Sequence, residues 1–268
     1  MDERPLGETG LRVPVVGMGT WRTFDVDEAA EEGIRSVVDV GLDRGMRLFD
    51  SSPMYGRAER VLGRALSGRR DQAIIATKLW TAADADAERQ ADFAFHAFGG
   101  RIDLYQVHNL VRWERRLDLL ERRRDAGQVT AIGATHYLPS AFSELARAMR
   151  SGRLDAIQVP YNPWSREVER EILPLAAELG LGVLVMRPFA DAALLRDLPP
   201  AAELDALAPT GIRTWAQALL AWGLGHPAIT TSIPATSKPD RAAENAAGGD
   251  LAPLDPDTRE RIATLFTR

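Results

Sequence analysis

Four side chains that can transfer or steer a proton follow three successive apolar segments of the chain. Asp50 ends the first segment, and Tyr55 lies in the loop that follows it. Lys78 ends the second segment and His108 ends the third. This set of groups is suited to the reduction of a carbonyl, because hydride addition to the carbon builds negative charge on the oxygen and requires a proton there.

Each of the four residues has a candidate role in that chemistry. Tyr55 is the candidate acid, although an ordinary phenol pKa of about 10 makes it a weak one. The ammonium of Lys78 would lower that pKa because a nearby positive charge favours the phenolate. Asp50 would keep the lysine charged and in place, and His108 would orient the carbonyl. On these residues alone, a purely structural ion pair between Asp50 and Lys78 is an equal alternative.

Eight short apolar segments, most of them followed by a helical pattern, must bring these residues together. Most are apolar throughout, which is typical of parallel strands that are buried on both faces. Their spacing, mostly about 26–30 residues, predicts an α/β fold of the (β/α)8 TIM-barrel type. An open doubly wound sheet is the alternative. The predicted strands are 15–19, 47–50, 73–78, 102–108, 129–134, 156–160, 182–186 and 228–233.

Other segments complete the predicted barrel. Apolar residues at helical spacing predict helices through 30–38, ending at Gly45, and through 212–222. Pro174 is expected to open or kink another helix. Segments 4–6 and 11–13 resemble an N-terminal β-hairpin, and 255–266 predicts an extra C-terminal helix. Residues 197–209 are interpreted as a long loop, and residues 1–268 as a single domain.

Composition narrows the class of protein. The 268 residues are 45% hydrophobic and 26% charged, with a net charge of −5 and no cysteine. These values disfavour disorder and nucleic-acid binding, and they exclude disulfides and thiolate metal sites. The polar N-terminus and the absence of a long apolar segment predict a cytoplasmic protein without a membrane anchor. The four histidines show no metal-binding spacing, so no metal is expected.

Several motifs, in the right order along the whole chain, resemble those of the aldo-keto reductase family. They are the segments Leu6–Pro14, Gly17–Trp21, Asp50–Gly56 with its tyrosine at position 55, Thr77–Trp80, Asp103–Asn109 and Ile233–Lys238. The resemblance implies metal-free, reversible reduction of small aldehydes or ketones by a nicotinamide cofactor, usually NADPH. We expect a monomer, and the resemblance implies that Asp50, Tyr55, Lys78 and His108 are catalytic.

The same resemblance assigns binding roles to further residues. Near the nicotinamide or its carboxamide it places Gly19, Thr20, Trp21, Asp50, Thr135, His136, Gln158, Met186, Arg187 and Pro188. Along the rest of the cofactor it places Ile233, Pro234, Thr236, Ser237, Lys238, Arg241, Glu244 and Asn245, with Lys238 and Arg241 at the 2′-phosphate. At the substrate it places Trp80, Asn109 and Trp164.

Three departures from the family pattern leave particular roles open. His136 replaces the asparagine that usually follows strand five in the family. The usual nicotinamide-stacking tyrosine is absent, so Met186, Arg187 or Phe189 could take its place. Ala235 stands where many members have a lysine, which predicts a moderate preference for NADPH, with NADH also possible.

Two other functions are alternatives, although the four candidate catalytic residues argue against the first and the Lys238 and Arg241 segment has no use in the second. One is a regulatory protein that binds the cofactor with little turnover, and the other is an aldolase that forms a Schiff base on Lys78. The sequence leaves the substrate undetermined. The short loops, and the absence of room after Asn245 for a long C-terminal flap, predict an open pocket for small or varied carbonyls.

Overall fold

Within residues 1–266, which the computed structural model describes, eight parallel strands form one sheet in the order in which they occur along the chain. They are β3 (Met18–Gly19), β4 (Leu48–Asp50), β5 (Ile74–Leu79), β6 (Ile102–His108), β7 (Val129–Thr135), β8 (Ala156–Pro160), β9 (Gly182–Met186) and β10 (Thr231–Ser232). Two antiparallel strands, β1 (Glu3–Pro5) and β2 (Arg12–Pro14), precede them.

The first and last strands of the sheet meet and close it into a barrel. The amide of Gly17 donates to the carbonyl of Ser232 at 2.8 Å, and the amide of Ser232 donates to the carbonyl of Val15 at 2.9 Å. Val16 and Ser232 form a parallel bridge between these segments. The closed (β/α)8 barrel predicted from the sequence is therefore confirmed, and the open sheet is wrong.

Alternate residues of each strand point into the barrel and pack there. The hairpin contributes Leu6 and Val13 to this interior cluster, and so covers the end of the barrel where the strands begin. Gly182 leaves room for the hairpin, because a Cβ at this position would lie 2.5 Å from Leu6 Cδ1. The strands contribute Leu48, Ala76, Leu104, Ala131, Ala156 and Leu184.

Helices surround the barrel and bury its outer face in a second, larger hydrophobic core. They are α1 (Glu31–Asp43), α2 (Ala58–Ala65), α3 (Asp84–Ala97), α4 (Trp113–Asp125), α5 (Phe142–Met149), α6 (Ile172–Glu178), α7 (Ala201–Asp205), α8 (Trp215–Leu224), α9 (Pro239–Gly248) and α10 (Pro256–Phe266). Gly45 follows α1 at a φ of 83°, as predicted for a helix end. Pro174 is tolerated in the first turn of α6, where its missing N–H costs little.

Four predicted segments differ from the structure. The strands predicted at 15–19 and 228–233 shrink to two residues each, because much of their backbone pairing consists of the single bonds and bridges that close the barrel. The helix predicted through 212–222 begins only at Trp215, where Thr214 caps it by accepting from the amide of Gln217. Segment 197–209 is not a plain loop, since it contains α7.

None of the helices within residues 1–266 is both long and apolar enough to cross a membrane.

Candidate active site

The carboxyl ends of the barrel strands bring the predicted residues to one rim. The register pairs Gly19 with Asp50, Lys78 with Gln106, and His108 with Thr135. Side chains separated by two positions on a strand face the same way, so Gln106 and His108 share the interior of the barrel. The structure therefore brings Asp50, Lys78 and His108 together, as the sequence analysis expected.

Lys78 and Asp50 form a fully buried ion pair. The Lys78 Nζ lies 2.6 Å from Asp50 Oδ2 and donates to the carbonyl of Ser51 at 2.8 Å. Burial alone would lower the pKa of Lys78, but the charge of Asp50 and the neighbouring Tyr55 outweigh it and raise that pKa. The lysine is therefore held as an ammonium ion.

Gln106 also supports this pair, although the sequence analysis assigned it no role. Its Nε2 donates to Asp50 Oδ1 at 3.1 Å, so both carboxylate oxygens are fixed. The alternation of Leu104, Gln106 and His108 along one strand was the signal that could have placed it inside the barrel.

Tyr55 is presented by a short 3-10 turn, Pro53–Tyr55, that follows β4. Its ring lies 5.2 Å from the Lys78 Nζ, and meets the His108 ring edge-on with 5.8 Å between centroids. Burial raises the pKa of Tyr55 even though Lys78 acts in the opposite direction. The expected net lowering of this pKa is therefore wrong for the free chain, and the phenol stays protonated at neutral pH, which is the form that an acid requires.

His108 is buried and uncharged. Burial, together with the positive charge of Lys78, lowers its pKa to about 2. Its Nδ1 lies 2.8 Å from Ser52 Oγ, and its ring forms part of the cavity wall described below. The uncharged imidazole can therefore form a hydrogen bond with a group in the cavity, but it carries no extra proton that it could donate as an acid at neutral pH.

A cavity of about 560 Å³ opens above this rim. Its wall includes most of the residues predicted to be catalytic or to bind the nicotinamide and substrate, and two of those predicted along the rest of the cofactor. They are Gly19, Thr20, Trp21, Asp50, Tyr55, Trp80, His108, Asn109, Gln158, Met186, Arg187 and Pro188, followed by Ile233 and Pro234. It also includes Arg22, Met54, Tyr137 and Asp191, which the sequence analysis did not single out. These come from loops and from the short 3-10 turn that carries Tyr55, and the long-range packing of such segments leaves no local pattern in the sequence.

Two guanidinium groups lie at the wall of this cavity. Arg187 lies over the rings of Trp21 at 5.3 Å and Tyr137 at 4.6 Å, and pairs with Asp191 at 3.5 Å. Arg22 lies over Trp21 at 4.3 Å and has no carboxylate partner within residues 1–266. This side of the cavity can therefore accept an anionic group.

Gln158 and Thr135 offer polar atoms suited to a carboxamide. Gln158 is buried and its side chain lines the cavity. Thr135 Oγ1 is a buried, unpartnered hydroxyl oxygen on the neighbouring strand, paired in register with Gln158. Thr135 does not itself line the cavity, nor does His136, whose Nδ1 accepts from the amide of Leu138.

The predicted phosphate and adenine residues lie beyond the cavity, on the loop before α9 and on α9 itself. Lys238 and Arg241 are exposed, and neither pairs with a carboxylate in the described chain. Lys238 stands immediately before the helix, whose first residue is Pro239. Glu244 is half-buried and Asn245 is buried on the same helix, while Thr236 and Ser237 precede it. Free cations beside a helix N-terminus can bind a phosphate.

The substrate role predicted for Trp164 is not supported by its position. Trp164 is not part of the cavity wall, and its indole N–H donates to the carbonyl of Phe266 at the end of α10. It lies in the loop after β8, and holds the C-terminal helix.

Comparison with known proteins gives the same fold and one family. Residues 15–266 match the model of the aldo/keto reductase family. The methylglyoxal reductase YeaE of Escherichia coli is 27% identical over 260 residues, which cover 91% of each chain. The aldo-keto reductase YhdN of Bacillus subtilis is 30% identical over 66% of this chain, and the match spans 59% of that protein. An aldo-keto reductase of Klebsiella pneumoniae, solved in complex with NADPH, superposes with a TM-score of 0.84 at 25% identity, over 99% of this chain and 96% of that one.

Proposed function

The chain belongs to the aldo-keto reductase family, and we propose that it reduces aldehydes or ketones to alcohols with NADPH, using Tyr55 as the proton donor. Membership makes it an oxidoreductase that acts on carbonyl groups with a nicotinamide cofactor. The observation that supports the finer proposal most is the rim itself, where a protonated phenol and a neutral imidazole line one end of the cavity. A buried ammonium lies 5.2 Å from the centre of the phenol ring.

Each of the four residues at the rim has a separate role in the proposed reaction. When bound, the cofactor supplies the hydride that adds to the carbonyl carbon. Tyr55 gives its proton to the carbonyl oxygen, so the product is a neutral alcohol and the tyrosine becomes a phenolate. Lys78 stabilises that phenolate, and Asp50 keeps Lys78 charged. His108 holds the carbonyl oxygen by a neutral hydrogen bond.

Two parts of the cofactor have matching groups in the chain. We assign the carboxamide to Gln158, which is buried at the cavity wall, and to Thr135, whose buried hydroxyl lacks a partner within residues 1–266. We assign the 2′-phosphate to the exposed Lys238 and Arg241. Arg22, which the sequence analysis missed, is placed to bind another anionic part of the molecule.

One residue is assigned to the face of the nicotinamide. Met186 follows the inward-facing Leu184 by two positions and lines the cavity, so we assign the nicotinamide face to it. The guanidinium of Arg187 already packs against the rings of Trp21 and Tyr137, so we do not assign the nicotinamide face to it.

The aldolase alternative receives no support from the environment of Lys78. A Schiff base requires a neutral amine with access to the substrate. The Lys78 Nζ is completely buried, carries a raised pKa and does not line the cavity.

Steady-state NADPH oxidation with a panel of aldehydes and ketones tests the proposal. NADPH binding is followed separately by quenching of tryptophan fluorescence, since Trp21 lines the cavity. We expect saturable oxidation that depends on the carbonyl. Tight binding of NADPH without turnover of any member of the panel would indicate the cofactor-binding regulatory protein instead.

A further inference from the structure

Ser52 lies between the acid and the imidazole without touching the cavity. It is completely buried and does not contribute to the cavity wall. Its Oγ accepts from the amide of Met54 at 3.2 Å and lies 2.8 Å from Nδ1 of His108. One hydroxyl therefore contacts both the turn that carries Tyr55 and the ring of His108.

The direction of the bond to His108 follows from counting donors and acceptors. A serine hydroxyl donates one proton and accepts at its lone pairs, whereas the amide of Met54 only donates. If Nδ1 donated to Ser52, the serine proton would lack an acceptor among residues 1–266, and a buried unpaired donor is costly. If Ser52 donates to Nδ1, the hydroxyl, the Met54 amide and Nδ1 are all satisfied.

We infer that Ser52 is a positioning residue that fixes neutral His108 with its proton on Nε2, so that the ring presents a hydrogen-bond donor to the substrate oxygen. The opposite tautomer would present a lone pair, which repels the negative charge that develops there. The consequence for turnover rests on the proposed reduction, but the tautomer itself does not.

The same hydroxyl links the two groups that must act on one oxygen atom. By accepting from Met54, Ser52 caps the 3-10 turn that presents Tyr55, and by donating to His108 it orients the second hydrogen-bonding group. A shift of either group would be transmitted to the other through this single side chain.

Nitrogen-15 NMR of the four histidine rings in the wild-type protein tests the tautomer directly. The spectrum of His108→Gln serves only to assign the His108 signals. We expect a protonated Nε2 and an unprotonated, hydrogen-bonded Nδ1 at neutral pH. A proton on Nδ1 would overturn the inference, whether or not the protein reduces any carbonyl.

Ser52→Ala and Ser52→Thr then test the role of the hydroxyl, with NADPH quenching and circular dichroism as checks on folding. Ser52→Ala should mix the two tautomers and lower kcat about tenfold at unchanged NADPH affinity. Ser52→Thr, if folded, should keep the Nε2–H signature. Ser51→Ala, which removes the adjacent buried hydroxyl, should leave the His108 signals unchanged.

The combination of readouts separates this role from a merely structural one. If Ser52→Ala lowers kcat while the His108 tautomer stays as in the wild type, Ser52 acts only through the turn and the inference is wrong. Unchanged kcat and an unchanged tautomer in Ser52→Ala would overturn it equally.

Discussion

The chain contains two lysines, and they occupy opposite environments. Lys78 is completely buried at the barrel rim and bonded to Asp50 and to the carbonyl of Ser51. Lys238 is exposed before α9, near Arg241, and neither side chain pairs with a carboxylate in residues 1–266. At the barrel rim the positive charge is paired within the fold, whereas beside α9 the positive charges remain available to a ligand.

The two regions should therefore respond differently to substitution. A buried ion pair must form during folding, and removing one partner leaves an unpaired charge in an apolar environment. The rim therefore couples stability and catalysis. The exposed cations before and on α9 gain their partner only when a phosphate binds, so they should affect cofactor affinity and little else.

Lys78→Met should give the largest effect. It leaves the Asp50 carboxylate buried with Gln106 as its remaining side-chain partner, so we expect a loss of about 3–5 kcal/mol of stability. We also expect a loss of about 10³-fold or more in turnover. Urea unfolding and steady-state kinetics measure the two effects. Lys238→Met is the matched control, and it should leave the stability within about 0.5 kcal/mol of the wild type. Equal destabilisation by both variants would contradict the proposed difference between the buried Lys78 and the exposed Lys238.

A second test uses Glu59, a buried carboxyl of α2 that contacts Thr77 just outside the rim. Burial raises its pKa to about 7, against the opposing effects of Thr77 and Lys78. The folded chain then holds this proton more tightly than the unfolded chain. The stabilisation that the protonated Glu59 contributes should be fully present below about pH 4.5. As the pH rises through about 7, the free energy of unfolding should fall by roughly 3 kcal/mol.

The measurement for Glu59 is the free energy of unfolding across this pH range in wild type and Glu59→Gln. The difference between the two curves should change with pH, because glutamine does not ionise. Glu178→Gln, at an exposed position, is the control and should follow the wild-type curve. Parallel curves for wild type and Glu59→Gln would show that Glu59 does not titrate as its burial requires.

Arg241→Ala should weaken NADPH binding about tenfold and leave NADH binding nearly unchanged. Only NADPH carries the 2′-phosphate that a guanidinium can grip with two hydrogen bonds. Tryptophan quenching by each cofactor gives the two affinities, and unfolding experiments should show unchanged stability. Equal loss of both affinities would mean that Arg241 supports the loop and does not recognise the phosphate.

The smallest effect is expected at the mouth of the cavity. Gln90 of α3 holds both polar backbone groups of Trp80, accepting from its amide at 2.8 Å and donating to its carbonyl at 3.0 Å. Gln90→Ala should free Trp80 and raise KM a few-fold for bulky carbonyls, with kcat and NADPH affinity little changed. A fall in kcat with unchanged KM would indicate that Trp80 influences the rim and not the entrance.

The barrel could be predicted from the sequence because each buried parallel strand is a short apolar segment of the chain, and these segments recur at regular spacing. The sequence placed Asp50, Lys78 and His108 for the same reason, since each ends such a segment. It missed Ser52 as a partner of His108, because a hydrogen bond between residues far apart in the chain leaves no local pattern. The alternation along β6 places Gln106 inside the barrel, but it does not identify Asp50 as the partner of this residue.

The remaining errors have similar causes. Trp164 resembled a pocket aromatic, but its environment depends on where α10 docks. The segment containing α7 is rich in proline, alanine and acids, a composition that also suits a loop. The pKa of Tyr55 was expected to fall because Lys78 is near, but the larger effect is burial, which only the folded structure reveals.

Tyr55→Phe isolates the proposed proton donor, because it removes one hydroxyl from the rim and leaves the ion pair of Lys78 and Asp50 in place. NADPH binding, measured by tryptophan quenching, should stay within about twofold of the wild type, while carbonyl-dependent NADPH oxidation should fall about 10³-fold or more. Near wild-type turnover of a good aldehyde by this variant would contradict the account, since the proton would then come from another group.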